Sequence, residues 1–188
     1  WGQGPVDVIG HSLGGMFAAE LAAMQPRRFS HVALISPFGL WEGSDPVPDL
    51  FSISLSDLAE AMYADVKSEP AVALSTAPQA RMTEVDPSTS EGQDTLNYLV
   101  ERAKSMSTAA KYLWPIPNRG LSKRLHRVTQ PSQIIWGASD GIIPPTYAER
   151  FAASMPNAAV HVVPDAAHMV VDEKPDHVAG LIESLLAR

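Results

Sequence analysis

The chain has 188 residues, with 14 Lys and Arg against 21 Asp and Glu, which gives a formal net charge of −7 at pH 7. That acidic balance argues against a nucleic-acid-binding protein, because phosphate neutralisation requires a basic patch. With 45% hydrophobic and 19% charged residues, the composition is typical of one globular domain. The absence of Cys excludes disulfides and thiolate nucleophiles, and no apolar run reaches the roughly 18 residues that a transmembrane helix needs.

The first elements in chain order predict a strand, a sharp turn, a helix and a second strand. Residues 6–9 form a short β-rich run that stops at Gly10, and the Ala-rich stretch 14–24 is typical of a helix. Residues 31–35 are almost continuously apolar, which favours a strand buried on both faces of a parallel sheet. This order predicts one βαβ unit.

Between residues 39 and 130 the strand-like runs give way to amphipathic helical stretches. The alternation of strands and helices then returns, with strands predicted at 133–136 and 159–163 and helices at 146–155 and 175–188. We therefore predict an α/β fold with a mostly parallel sheet of four strands. Its core comprises residues 1–38 and 131–188, and residues 39–130 form a helical insert.

Residues 10–14, Gly-His-Ser-Leu-Gly, form a G-x-S-x-G motif where the first predicted strand meets the first predicted helix. At such a turn the hydroxyl of Ser12 projects clear of the sheet, and a side chain at position 10 or 14 is expected to strike the neighbouring backbone. The start of the helix brings backbone N–H groups and a positive dipole near that hydroxyl. Ser12 is therefore a candidate nucleophile, and the alternative is an ordinary turn with a capping serine.

A serine hydroxyl is a weak nucleophile that needs a base held by a third group. Asp140 and His168 each follow a predicted strand, so both are expected at the carboxyl edge of the sheet, where parallel sheets bind ligands. Asp165 lies close to His168 in the sequence, but a turn residue is the better interpretation of it. The loop 36–38 after the second strand is expected to border the same pocket.

Through these motifs the chain resembles the α/β-hydrolase fold family. The resemblance rests on Gly-His-Ser-Leu-Gly-Gly at 10–15, Trp-Gly-Ala-Ser-Asp-Gly at 136–141 with Ile-Pro-Pro at 143–145, and Ala-His-Met-Val-Val-Asp-Glu-Lys-Pro at 167–175, in the family's order Ser, Asp, His. One departure is Ala167, where relatives often have Gly.

The resemblance assigns a role to each of these residues. It implies that Ser12 is the nucleophile, that His168 is the general base and then acid, and that Asp140 orients the imidazole. It also implies that the backbone N–H of Leu13 is one donor of the oxyanion hole. We predict no metal and no cofactor, since the remaining histidines lack metal-ligand spacing.

The insert resembles a lid domain of the family by its position and its helical character. Most of its apolar residues must pack the insert on itself, but Trp114, which Pro115 and Pro117 follow, is expected to face a pocket. His11, beside the candidate nucleophile, is a second candidate for substrate contact. A small, apolar acyl group or ring is the substrate that this pocket would accept.

In the family the nucleophile strand is the fifth of eight, so the chain resembles the last four strands plus the lid. The second oxyanion donor comes from a loop after an earlier strand, so we expect a missing N-terminal segment of the same protein as a partner, and an open edge on the strand 6–9. The leading hypothesis is a serine hydrolase that cleaves an ester or similar carbonyl substrate through an acyl-enzyme. Two alternatives stay open: a carbon–carbon bond hydrolase of diketone-type substrates with the same three residues, and a non-catalytic fragment.

Overall fold

The computed structural model describes residues 4–76 and 86–188. Four strands form one sheet in the order β1-β2-β3-β4, and every neighbouring pair is parallel. The strands are β1 (Val6–His11), β2 (Phe29–Ile35), β3 (Ser132–Gly137) and β4 (Ala158–Val163). The α/β class and the parallel four-stranded sheet predicted from the sequence are confirmed.

Helices connect the strands. In chain order they are α1 (Leu13–Met24), α2 (Leu55–Met62), α3 (Glu69–Ser75), α4 (Ser90–Leu113), α5 (Thr146–Ser154), α6 (Val170–Glu173) and α7 (Pro175–Leu186). The last two are separate because Pro175 begins a new helix and cannot continue the preceding one. Among the helices in the described ranges, none is both long enough and apolar enough to span a membrane.

The two faces of the sheet are covered by different helices. Helices α1 and α5 pack on one face and α7 on the other, and the side chains of β3 alternate between the two hydrophobic clusters, with Ile134 and Trp136 on one side and Ile135 on the other. All six residues of β3 are buried. Burial on both faces explains the apolar residues at 134–136, and the buried Ser132 and Gln133 each have a hydrogen-bond partner, the Gln130 carbonyl and the Ser184 hydroxyl.

Strand β1 lies at one edge of the sheet and pairs only with β2 among the described residues. Val6 and Ile9 are about half exposed there, as are Leu21 and Met24 on the adjoining α1. This is the open edge that the sequence analysis expected. An unpaired edge strand with apolar side chains is a site where another segment of chain can add.

The carboxyl ends of all four strands lie at the same edge of the sheet, because the strands are parallel. The loops that follow β1, β2, β3 and β4 therefore converge. Helices α2, α3 and α4 come from residues 39–130, between β2 and β3. Residues 77–85 of the predicted insert, including Met82, lie outside the described ranges.

Candidate active site

Ser12 occupies the turn between β1 and α1 in a backbone conformation that is rare for residues other than glycine. Its φ is 55° and its ψ is −122°, and such conformations cost on the order of 1–3 kcal/mol each unless the surroundings enforce them. Three backbone hydrogen bonds hold Ser12 in this conformation. Ser12 N–H donates to the carbonyl of Ile35 over 2.9 Å, while the Ser12 carbonyl accepts from the N–H groups of Phe38 (3.1 Å) and Met16 (3.2 Å).

Glycines allow the close approach of strand and helix at this turn. A Cβ atom on Gly10 would lie 2.4 Å from the carbonyl oxygen of Gly14, and one on Gly15 would lie 2.8 Å from Cβ of Pro37. The expectation for position 10 was therefore right. The expectation for position 14 was wrong, since a Cβ on Gly14 would meet nothing within 4 Å; Gly15 is the helix residue that must stay small.

The structure brings Ser12, His168 and Asp140 into one hydrogen-bonded array, although the pairs lie 156 and 28 residues apart in the sequence. His168 Nε2 is 2.8 Å from Ser12 Oγ, and His168 Nδ1 is 2.9 Å from Asp140 Oδ2. The other carboxylate oxygen, Oδ1, accepts from the N–H groups of Ile142 and Ile143, each at 2.9 Å. These two bonds fix the rotation of the carboxylate so that Oδ2 faces the imidazole.

The array also determines which nitrogen of His168 carries a proton. A carboxylate only accepts hydrogen bonds, so Nδ1 must donate to Asp140, which leaves Nε2 of the neutral ring as an acceptor for the Ser12 hydroxyl. Only 3% of His168 and 5% of Asp140 is exposed. The geometry is that of a serine paired with an oriented base.

The loop that carries His168 packs closely on the end of β3. A Cβ atom on Gly137 would lie 2.0 Å from the carbonyl oxygen of Ala167, so this approach requires glycine. The left-handed residue of the loop is Asp165, with φ 51°, in agreement with its interpretation as a turn residue. Ala167 does not have a positive φ, so alanine in place of the family's glycine introduces no backbone strain.

His11 contacts the backbone of His168. Its Nε2–H donates to the His168 carbonyl over 2.8 Å, and the two ring centroids are 5.1 Å apart. The sequence analysis gave His11 as a candidate for substrate contact, and in the structure this ring nitrogen binds the loop that carries His168. Burial lowers the pKa of His11 below its ordinary value of 6.5, and the positive charge that His168 can take up lowers it further. The hydrogen bond of His11 to the His168 carbonyl and the charges of Asp140 and Asp172 raise the pKa, but by less.

The lowered pKa of His11 predicts an acid-sensitive stability. His11 binds more protons in the unfolded chain than in the folded one between pH 6.5 and its lower folded-state pKa. Its contribution to the free energy of unfolding therefore falls as the pH drops through that window and levels off below it. His11→Gln keeps an N–H donor but does not titrate. We expect its melting temperature to vary less with pH below 6.5 than that of the wild type.

The matched control is His126→Gln, since His126 is exposed and distant in sequence. Melting temperatures measured across this pH range for the three proteins test the prediction. Parallel curves for wild type and His11→Gln would show that His11 does not contribute to the acid sensitivity.

Leu13 and Trp114 are the two remaining residues that the sequence analysis singled out. Leu13 is the first residue of α1, so its N–H has no acceptor within the helix and stands beside Ser12 at the positive end of the helix dipole. Trp114 ends α4 and is about half exposed. Its ring meets Phe51 edge-on at 6.1 Å between centroids.

Trp114 lines an apolar cleft next to the array. Its walls are formed by Phe38, Val47, Pro48, Asp49, Leu50, Phe51, Leu113, Trp114, Pro115 and Pro117. Phe38 lies near both features, because it lines the cleft and its ring centroid is 6.2 Å from that of His168. The cleft has about 50 Å³ of space that water-sized groups can occupy, within about 350 Å³ when space open to solvent is included. Its lining suits an apolar group.

The chain is similar in sequence to known hydrolases. A sequence profile of the alpha/beta hydrolase fold matches residues 1–175. Monoacylglycerol lipase ABHD6 of Mus musculus is 29% identical over 97% of this chain and 55% of its own length. Pimeloyl-[acyl-carrier protein] methyl ester esterase of Serratia marcescens is 27% identical over 95% of this chain and 69% of its own.

A solved structure has the same fold. The serine hydrolase CarC, involved in carbazole degradation, superimposes with a TM-score of 0.65 and 17% identity, over 100% of this chain and 65% of that one. The chain thus spans about half the length of the lipase that it matches and about two-thirds of this structure.

Proposed function

This chain belongs to the alpha/beta hydrolase fold family, and we propose that its protein is a serine hydrolase that cleaves an ester or similar carbonyl substrate through an acyl-enzyme. The observation that carries the proposal is the array of Ser12, His168 and Asp140, joined by hydrogen bonds of 2.8 and 2.9 Å. In this proposal the three residues form a catalytic triad.

The reaction follows from the direction of these hydrogen bonds. Ser12 Oγ attacks the substrate carbonyl carbon as its proton passes to His168 Nε2, and Asp140 stabilises the imidazolium that forms. The N–H of Leu13 donates to the oxyanion of the tetrahedral intermediate. When the intermediate collapses, His168 returns the proton to the leaving alcohol, and the acyl group remains on Ser12. His168 then deprotonates a water molecule, which attacks the acyl-enzyme and releases the acyl group as a carboxylic acid.

The apolar cleft supports an ester with an apolar acyl group. Phe38 lines the cleft and its ring centroid lies 6.2 Å from that of His168, and we propose that an acyl group held in the cleft directs its carbonyl toward Ser12. Two similar proteins are named for ester cleavage, a monoacylglycerol lipase and a methyl ester esterase. We propose that residues 39–130 form the lid that supplies Trp114 to the cleft.

Full activity is proposed to require further residues of the same protein. Among the residues that the structure describes, no strand pairs with the outer edge of β1, and the family's second oxyanion donor follows a strand on that side of the sheet. The loss of one oxyanion donor typically lowers kcat by about 10²–10³-fold. A preceding segment that pairs with β1 would cover the exposed Val6 and Ile9 and complete the oxyanion hole.

Hydrolysis of p-nitrophenyl esters of increasing acyl length by the full-length protein tests the proposal. We expect turnover that rises from acetate to medium-chain esters, because the longer acyl group fills the cleft. A folded full-length protein that cleaves none of these esters would contradict it.

Two further measurements distinguish the alternatives from ester hydrolysis. Carbon–carbon bond cleavage uses the same three residues, and loss of absorbance from a diketone-type substrate in place of ester turnover would favour it. The non-catalytic alternative predicts that residues 1–188 alone turn over no ester.

A further inference from the structure

Glu173 joins two segments that are far apart in the sequence. Its Oε1 accepts from the backbone N–H groups of Ala64 (2.7 Å) and Asp65 (3.3 Å), which follow α2. Its Oε2 accepts from the N–H of Ala167 (2.7 Å), the residue before His168. One carboxylate therefore ties the loop of the proposed base to the segment at the carboxyl end of α2.

Backbone contacts strengthen this junction. The N–H of Met169 donates to the carbonyl of Met62 over 2.9 Å, and the N–H of Gly141 donates to the carbonyl of Ala61 over 3.0 Å. The last carbonyls of a helix lack partners within it, so the end of α2 offers free acceptors to the two loops. Residues 61–65 thus hold the loop after Asp140 and the loop around His168 together.

Only a carboxylate fits the position of Glu173. Both of its oxygens face backbone N–H donors, and an ionised carboxylate offers acceptors on both sides. A glutamine would present its NH₂ group to one of these donors, so that one side of the junction would lose its hydrogen bond. Bonds from N–H groups to a charged acceptor are also stronger than those to a neutral one.

We propose that Glu173 is a positioning residue for the proposed hydrolysis. It does not touch the reacting atoms; it fixes the His168 loop against α2 so that Nε2 stays within hydrogen-bonding distance of Ser12 Oγ. The inference rests on the proposed function. Small displacements of a reacting group reduce rates strongly, by up to about 10²-fold for 1 Å.

The test is Glu173→Gln in the full-length protein, with Glu183→Gln as the matched control. Glu183 is exposed on α7, so its substitution removes the same charge without affecting the junction. We expect Glu173→Gln to lower kcat for a p-nitrophenyl ester by about 10–100-fold, with KM changed much less. Hydrogen exchange should accelerate in peptides that cover residues 61–65 and 166–169, and the control should match the wild type in both measurements.

Two outcomes would overturn the inference. One is a kcat equal to that of the wild type with a lower melting temperature, which would mean that Glu173 contributes to stability alone. The other is unchanged hydrogen exchange in both peptides. If the glutamine variant does not fold, Glu173→Asp replaces it in the same measurements, because aspartate keeps the charge but is too short to reach both segments.

The exchange measurement is independent of turnover. A wild-type protein without esterase activity would therefore contradict the proposed function while the exchange data still decide whether Glu173 holds the junction.

Discussion

Ser12→Ala is expected to eliminate ester turnover by the full-length protein, with a fall in kcat on the order of 10⁶-fold. The substitution removes the Oγ atom that lies 2.8 Å from His168 Nε2, and with it the proposed site of acylation. Alanine keeps the Cβ atom, so the backbone strain at φ 55° is the same in both proteins. Turnover and melting temperature measured side by side separate loss of chemistry from loss of fold.

Ser36 provides a matched control for this variant. It also follows a strand, has a positive φ of 39° and is fully buried, and its Oγ has no hydrogen-bond partner among the described residues. Removal of an unpartnered buried hydroxyl is close to neutral, so Ser36→Ala should retain activity within about threefold of the wild type. Substantial turnover by a pure Ser12→Ala sample would exclude Ser12 as the nucleophile.

Asp140→Asn is expected to lower kcat by about 10⁴-fold while the fold is retained. The asparagine carbonyl can keep the two hydrogen bonds from Ile142 and Ile143, which directs its NH₂ group at His168 Nδ1. His168 must then accept at Nδ1 and carry its proton on Nε2, so it cannot take the proton of Ser12. Measurement of kcat for a p-nitrophenyl ester at neutral pH tests this expectation.

Asp165→Asn is the control for Asp140→Asn, because Asp165 is the other aspartate near His168 in the sequence. Its backbone is left-handed, with φ 51°, a conformation that asparagine also adopts readily. We expect this variant to resemble the wild type. The reverse pattern, with an active Asp140→Asn and an inactive Asp165→Asn, would mean that Asp165 is the acid of the triad.

Features that depend on local patterning could be predicted from the sequence. The run 133–136 predicted β3, because burial on both faces of the sheet favours the apolar residues Ile134, Ile135 and Trp136 at its centre. Chain order placed Ser12, Asp140 and His168 at one sheet edge, since parallel strands present their carboxyl ends together. The strand ends were less accurate: β2 begins at Phe29, before the apolar run, because pairing with Val6 extends the ladder through backbone atoms alone.

Contacts to the backbone could not be predicted in this way. Glu173 binds N–H groups of Ala64 and Ala167, and every residue type except proline offers such a group. His11 likewise bonds to a carbonyl oxygen of His168. The difference between Gly14 and Gly15 depends on where Pro37 packs, which only the folded structure shows.

The most direct test of the central proposal is covalent labelling of the full-length protein with a fluorophosphonate, followed by mass spectrometry of the intact protein and of its peptides. We expect one adduct, located on Ser12, and no adduct on Ser12→Ala. A folded wild-type protein that stays unlabelled, or one labelled at another residue, would contradict the assignment of Ser12 as the nucleophile of a serine hydrolase.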